Sequence, residues 1–99
     1  MEELNFSKLE GFEWDKGNKQ KNWNKHKIYY KEIEEIFFNK PLVIIPDKKH
    51  SKIEQRFVCY GITKLGRKLS VIFTWRGKKI RVISARSQNR KERNEYEKN

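Results

Sequence analysis

Six arginines stand between Thr63 and Arg93: Arg67, Arg76, Arg81, Arg86, Arg90 and Arg93. Five lysines accompany them (Lys64, Lys68, Lys78, Lys79 and Lys91), and Glu92 is the single acidic residue of the stretch. A guanidinium holds phosphate through two parallel hydrogen bonds, so this density of arginine points to a polyanion and above all to nucleic acid. Metal-dependent cleavage would need clustered carboxylates. The nearest are Glu54, Glu92, Glu95 and Glu97, and the last three alternate with Arg and Lys. One cysteine and two histidines, His26 and His50, match no usual zinc site. The chain also lacks a nucleophile elbow and a phosphate-cradling glycine loop. No metal or other cofactor is therefore expected. Two chemistries remain: metal-free RNA cleavage, in which the 2′-hydroxyl is the nucleophile, and plain binding of nucleic acid. Cleavage asks the protein to move two protons and to stabilise charge on phosphorus. Arginines suit the last task; His26, His50, Tyr96 or a lysine suit the first two.

The elements that must position these residues are few. Ninety-nine residues suit one domain, 1–99, with an N-terminal segment (1–11) and a polar C-terminal helix (88–99). Charged residues make up 37% of the chain and hydrophobic ones 35%, so the core is thin and rests on aromatics. The charge is uneven. Residues 1–50 hold 10 Lys and no Arg against 9 acidic residues, a net +1, whereas residues 51–99 hold 7 Lys and 7 Arg against 4, a net +10. Cys59 sits within an apolar run and reads as a buried thiol. No run approaches the roughly 18 apolar residues of a membrane span, and the N-terminus lacks a signal peptide pattern, so the cytoplasm is the expected location.

Along the chain, Leu4, Phe6 and Leu9 can cover an edge of the core, and residues 12–14 alternate as a short strand. Asp15 or Asn18 caps a helix from near Gly17 to His26, with Trp23 as its anchor and Asn22 and His26 on one face. His26 there is either a packing residue or a site residue. A scaffold helix over 30–38 presents Ile33, Ile36 and Phe37 to the core and Glu32, Glu34 and Glu35 to water. Residues 42–45 read as a buried strand and 56–62 as another, in which Gly61 permits a close approach of backbone. Two strands, 68–75 and 79–85, then turn at 76–78. Strict alternation puts Ile80, Val82, Ser84 and Arg86 on one face and Arg81, Ile83 and Ala85 on the other. The last helix has no apolar stripe and docks through Tyr96, which shares a face with Arg93.

Several of these residues also form an ordered set of motifs. They are Phe12-Glu13-Trp14-Asp15, Asn22 with Lys25-His26, Asp47 with His50-Ser51, Glu54 and Arg56, then Gly61, Gly66-Arg67 and Thr74 with Arg76-Gly77. Ile80-Arg81 with Ile83-Ser84-Ala85-Arg86 and Glu92-Arg93 with Tyr96-Glu97 complete the set. In this order they resemble the BrnT toxins over about residues 12–97. The resemblance implies an α+β fold of the RelE/ParE-like type, a small twisted antiparallel sheet with helices packed on one side. It implies a type II toxin that cleaves RNA without a metal and inhibits translation. A BrnA-like ribbon-helix-helix antitoxin is the implied partner, and operator DNA is reached only through that complex. In such a protein His26, Arg76, Arg86 and Tyr96 are the expected catalytic residues, and Lys25, Arg67, Arg81 and Arg93 the expected RNA-binding ones, all six Arg67, Arg76, Arg86, Arg93, Tyr96 and His26 lining one groove. The competing expectation is a non-catalytic module that binds nucleic acid or a partner.

Overall fold

The computed structural model describes residues 6–50 and 53–99, His50 by its backbone alone. Leu4, Ser51 and the His50 imidazole, all singled out above, lie outside the described residues. Five strands form one sheet in the order β1-β5-β4-β3-β2. They are β1 (Gly11–Glu13), β2 (Val43–Asp47), β3 (Arg56–Ile62), β4 (Lys68–Arg76) and β5 (Lys79–Ser87). Three helices complete the α+β fold: α1 (Lys16–His26), α2 (Tyr30–Ile36) and α3 (Arg90–Tyr96).

The sheet is mixed rather than antiparallel throughout, because β1 runs parallel to β5 with Phe12 opposite Ile80. Three residues of alternation carry no information about strand direction. The expected placement of the helices also changes. Ile33, Ile36 and Phe37 of α2 pack on the face that carries Phe57, Cys59, Leu69, Val71, Phe73, Ile80 and Val82, which is the core. α3 instead packs at one corner of the opposite face, against Val43, Ile45 and Tyr60. β2 is consequently an edge strand, not a buried one, and Ile45 stays exposed.

Aromatic rings hold the core together. Phe37 meets Phe73 edge-on with ring centroids 5.2 Å apart, Phe57 stacks on Phe73 at 5.4 Å, and Phe6 and Phe12 close over Phe37 from the N-terminal side. Burial of a side chain such as Phe73 contributes roughly 1.5–3 kcal/mol. The scaffold helix keeps its carboxylates busy rather than solvated. Glu32 caps α2 by accepting from the Tyr29 N–H at 3.1 Å, Glu34 accepts from the Trp14 indole at 2.8 Å, and Glu35 accepts from the Lys64 N–H at 3.1 Å.

α1 departs furthest from expectation. Its N-cap is Asp15, whose carboxylate accepts from the Asn18 N–H, as the sequence implies. Trp23 does not anchor it. That side chain is 46% exposed, and Asn22, at 1%, occupies the buried position. Beyond Arg81 no strand among the described residues covers the outer edge of β5, so its backbone groups need other partners. Asn18 donates to the Val82 carbonyl at 2.7 Å, Lys21 donates to that of Ile83 at 3.2 Å, and Asn22 accepts from the Ala85 N–H at 3.3 Å.

Gly61 provides the close approach expected of it. A Cβ there would lie 2.8 Å from Ile36 Cβ, an atom that the backbone of α2 holds in place. Gly61→Ala is expected to destabilise the protein by about 1–3 kcal/mol, read as a lower denaturant midpoint. An unchanged midpoint would show that α2 does not sit on β3 at this distance.

Candidate nucleic-acid interface and active site

A bulge in β5 decides where the arginines point. The β4–β5 register runs Phe73 to Val82 and then Ile72 to Ser84, so Ile83 is the extra residue. Strict alternation would send Arg86 to the same side as Ile80 and Val82, which are in the core. The extra residue reverses the parity, buries Ala85 and brings Ser84 and Arg86 to the open face that already carries Arg81. Cross-strand rows on that face follow from the register: Val43, Tyr60, Ser70 and Arg86 in one, Asp47, Arg56, Thr74 and Arg81 in another.

Where α3 crosses the first row there is a groove of about 510 Å³, with Val43, Ile45, Tyr60, Glu92 and Tyr96 among its lining. Arg86 stands beside it and donates to Glu92 twice, at 2.7 and 2.9 Å, while the Tyr60 hydroxyl donates to the same carboxylate at 3.4 Å. Glu92 also accepts from the Asn89 N–H at 2.9 Å, and the Asn89 side chain accepts from the Glu92 N–H, which is a capping box. The Arg86 guanidinium is the main reason that Glu92 titrates below the usual carboxylate range. Burial, and then the charge of Glu92, push the Tyr60 hydroxyl up. This places a phenol and a guanidinium each within hydrogen-bonding distance of one deprotonated carboxylate at an open groove. Such groups can accept a proton, donate one and stabilise an oxyanion. Tyr60 was outside the expected set because only the strand register, not the spacing, reveals that it faces Arg86.

The other expected residues lie elsewhere. Tyr96 lines the same groove, but it is 4% exposed and its hydroxyl donates to the Pro41 carbonyl at 2.5 Å. Arg93 donates to the Gln88 carbonyl at 2.8 Å. Arg76 sits at the hairpin tip, six residues along β4 from Ser70 and so roughly 20 Å from Arg86's row, paired with Glu54 at 3.3 Å and Glu13 at 3.9 Å. Arg81 pairs with Asp15 at 2.6 Å. Arg67 donates to the carbonyls of His26 and Lys27, both at 2.8 Å, with Glu32 at 3.6 Å. His26 and Lys25 are exposed at the end of α1. The one groove expected to hold six residues is thus three separate places: Arg86 with Tyr96 and its neighbour Arg93, Arg67 with His26, and Arg76 alone. Among the described residues no group of three or more His, Cys, Asp or Glu is placed to share a metal ion.

The family model described as the ribonuclease toxin BrnT of type II toxin-antitoxin systems matches residues 14–92. The chain belongs to the BrnT family. The crystal structure of the Brucella abortus ribonuclease toxin BrnT is similar in fold, with a TM-score of 0.63 and 24% identity, covering 81% of this chain and 97% of that one. No curated protein matches the sequence. As a BrnT toxin, the chain has RNA as its substrate class and an antitoxin as its partner.

Tyr96 is the apolar anchor of α3, and burial raises the pKa of its hydroxyl. A folded-state value above the unfolded one, about 10, means that its contribution is complete below that pH and is lost as pH rises through the folded value. Tyr96→Phe is expected to cost about 1 kcal/mol near neutrality and to flatten the alkaline decline in stability. A decline of wild-type steepness in this variant would assign the alkaline transition to another group.

Proposed function

We propose that this BrnT toxin is an endoribonuclease that cleaves RNA without a metal ion and so inhibits translation in the cytoplasm. A BrnA-like ribbon-helix-helix antitoxin binds it and restrains it, and the toxin meets operator DNA only within that complex. Its sheet, with α2 on the core face and α1 along the β5 edge, is read as a variant of the RelE/ParE-like superfold. The observation that carries the catalytic reading is the cluster of Arg86, Glu92 and Tyr60 at an open groove.

In this reading the Glu92 carboxylate takes the proton of the 2′-hydroxyl, and the 2′-oxygen attacks the adjacent phosphorus. Arg86 exchanges one carboxylate for the non-bridging phosphate oxygens, where negative charge accumulates. The Tyr60 hydroxyl protonates the departing 5′-oxygen, leaving a 2′,3′-cyclic phosphate. Tyr96 shapes the groove and fixes α3, the helix that carries Glu92. Arg81, Arg93, Arg67 and Lys25 guide the flanking phosphates, and Arg76 does so at the far end of the strand. His26 is the competing proton carrier, at the end of α1 and outside the groove lining.

Purified protein is expected to cleave labelled RNA with EDTA present. Arg86→Ala should slow cleavage by roughly 100-fold or more, and Arg76→Ala far less. The pH dependence of kcat/KM separates the proton carriers. Glu92, held low by Arg86, is an active base until the pH falls below the usual carboxylate range, and Tyr60, held high, is an active acid until the pH passes about 10. The profile should therefore be flat across neutrality. A bend near pH 6.5 would return proton transfer to a histidine, and loss of cleavage in EDTA would overturn the metal-free mechanism. Failure to cleave any RNA, with growth unaffected on induction, would favour the non-catalytic module.

A further inference from the structure

Much of the arginine charge in the basic stretch is already paired with carboxylate. Arg67, Arg76, Arg81 and Arg86 each have a carboxylate partner, drawn from Glu32, Glu54 and Glu13, Asp15, and Glu92. Lys68 pairs with Glu97 and Lys78 with Glu10. α1 is the opposite case. It carries Lys16, Lys19, Lys21 and Lys25, with Lys27 just beyond, and contains no acidic residue. Among the described residues none of these five ammonium groups has a carboxylate within ion-pair distance.

The only large apolar side chain of α1, Trp23, faces away from the core. Lys16, Lys19, Trp23 and His26 fall at i, i+3, i+7 and i+10, which is one flank of a helix. Asn18 and Asn22 hold the adjoining side against β5, so this flank is open. It continues onto the start of α2. Lys27 Nζ lies 5.4 Å from the Trp23 ring, Lys19 Nζ lies 4.0 Å from the Tyr30 ring, and Tyr29 and Tyr30 have their ring centroids 4.8 Å apart. Tyr29 is 51% exposed. Flat aromatic faces interleaved with uncompensated cations match a single strand of nucleic acid, whose bases stack while its phosphates pair. An acidic protein segment would use the lysines but would leave the ring faces without a partner.

We infer that the α1–α2 flank is a single-stranded RNA platform, on which Trp23 and Tyr29 stack bases and Lys16, Lys19 and Lys27 hold phosphates. It rests on the ribonuclease reading and extends it, because no residue of this flank lines the Arg86 groove and the flank adds a second anchor for the substrate.

The probe is a fluorescein-labelled 2′-O-methyl oligonucleotide of mixed sequence, which cannot be cleaved, titrated with the full chain and followed by polarisation. Trp23→Ala is expected to weaken binding about 5- to 150-fold, and Trp23→Tyr, which keeps a ring, to retain most of the affinity. The variant with Lys16, Lys19 and Lys27 all changed to Gln should make the log-log salt slope shallower by roughly 2. Thermal unfolding reports whether each variant is folded, and the half-exposed Trp23 should tolerate replacement. Wild-type affinity in Trp23→Ala, with cleavage by the wild type intact, overturns the platform and leaves the ribonuclease reading standing. A wild type that neither binds the probe nor cleaves RNA removes both. Unchanged probe affinity together with weakened antitoxin binding would give this face to the protein partner and equally overturn the proposal.

Discussion

The arrangement depends on how the outer edge of β5 is satisfied. β1 covers that edge for only three residues, and buried backbone groups left without partners would each cost about 1–3 kcal/mol. Asparagine side chains from α1 stand in for the missing strand, Asn18 at the Val82 carbonyl and Asn22 at the Ala85 N–H. These contacts straddle Ile83, the bulge residue. The same short length of β5 therefore fixes where α1 lies and turns Arg86 away from the core. A helix without an apolar stripe could not have been placed by burial alone.

Electrostatics follow from that placement. The first half of the chain looks neutral, and the second half looks strongly basic. Folding redistributes this charge, because Glu13, Asp15 and Glu32 from the first half come to lie beside Arg76, Arg81 and Arg67 of the second. Exposed pairs of this kind contribute at most about 1 kcal/mol each to stability. Their larger consequence is to leave the lysines of α1 among the cations without a carboxylate partner. Arg67, Arg76, Arg81 and Arg86 can still engage phosphate, but only by exchanging one anion for another, whereas the lysines of α1 have no anion to give up.

Much of the fold is legible in the sequence, for identifiable reasons. The β4–β5 hairpin shows because its alternation is long and Gly77, at φ +60, opens a two-residue turn. α2 shows because Ile33, Ile36 and Phe37 repeat at helical spacing, and the α1 N-terminus because Asp15 precedes Asn18 by three. What stays hidden depends on partners distant in sequence. The bulge at Ile83 has no composition signal, since the residue is neither glycine nor proline, and without it Ser84, Ala85 and Arg86 fall on the wrong faces. Trp23 invites the role of anchor on hydrophobicity alone, and nothing local reveals that two asparagines have taken that role. Tyr60 becomes a neighbour of Arg86 only through two strand pairings, so the Arg86 cluster cannot be read from spacing, whereas Arg86 itself can.

The exposure of Trp23 is not the residue of a poorly formed core. Burial of a large apolar side chain contributes roughly 1.5–3 kcal/mol, and domains of this size are stable by only about 5–15 kcal/mol. An indole turned to water thus forgoes a sizeable share of the available stability in a chain whose core is already small. The helix also lets the indole be exposed without strain, since its docking is polar and uses a different flank. The exposed Tyr29 and the half-buried Lys19 continue the same surface rather than screening it. α1 is accordingly a helix held by its asparagines and left open along its basic aromatic flank, with the carboxylates that would neutralise it committed to the arginines of the sheet.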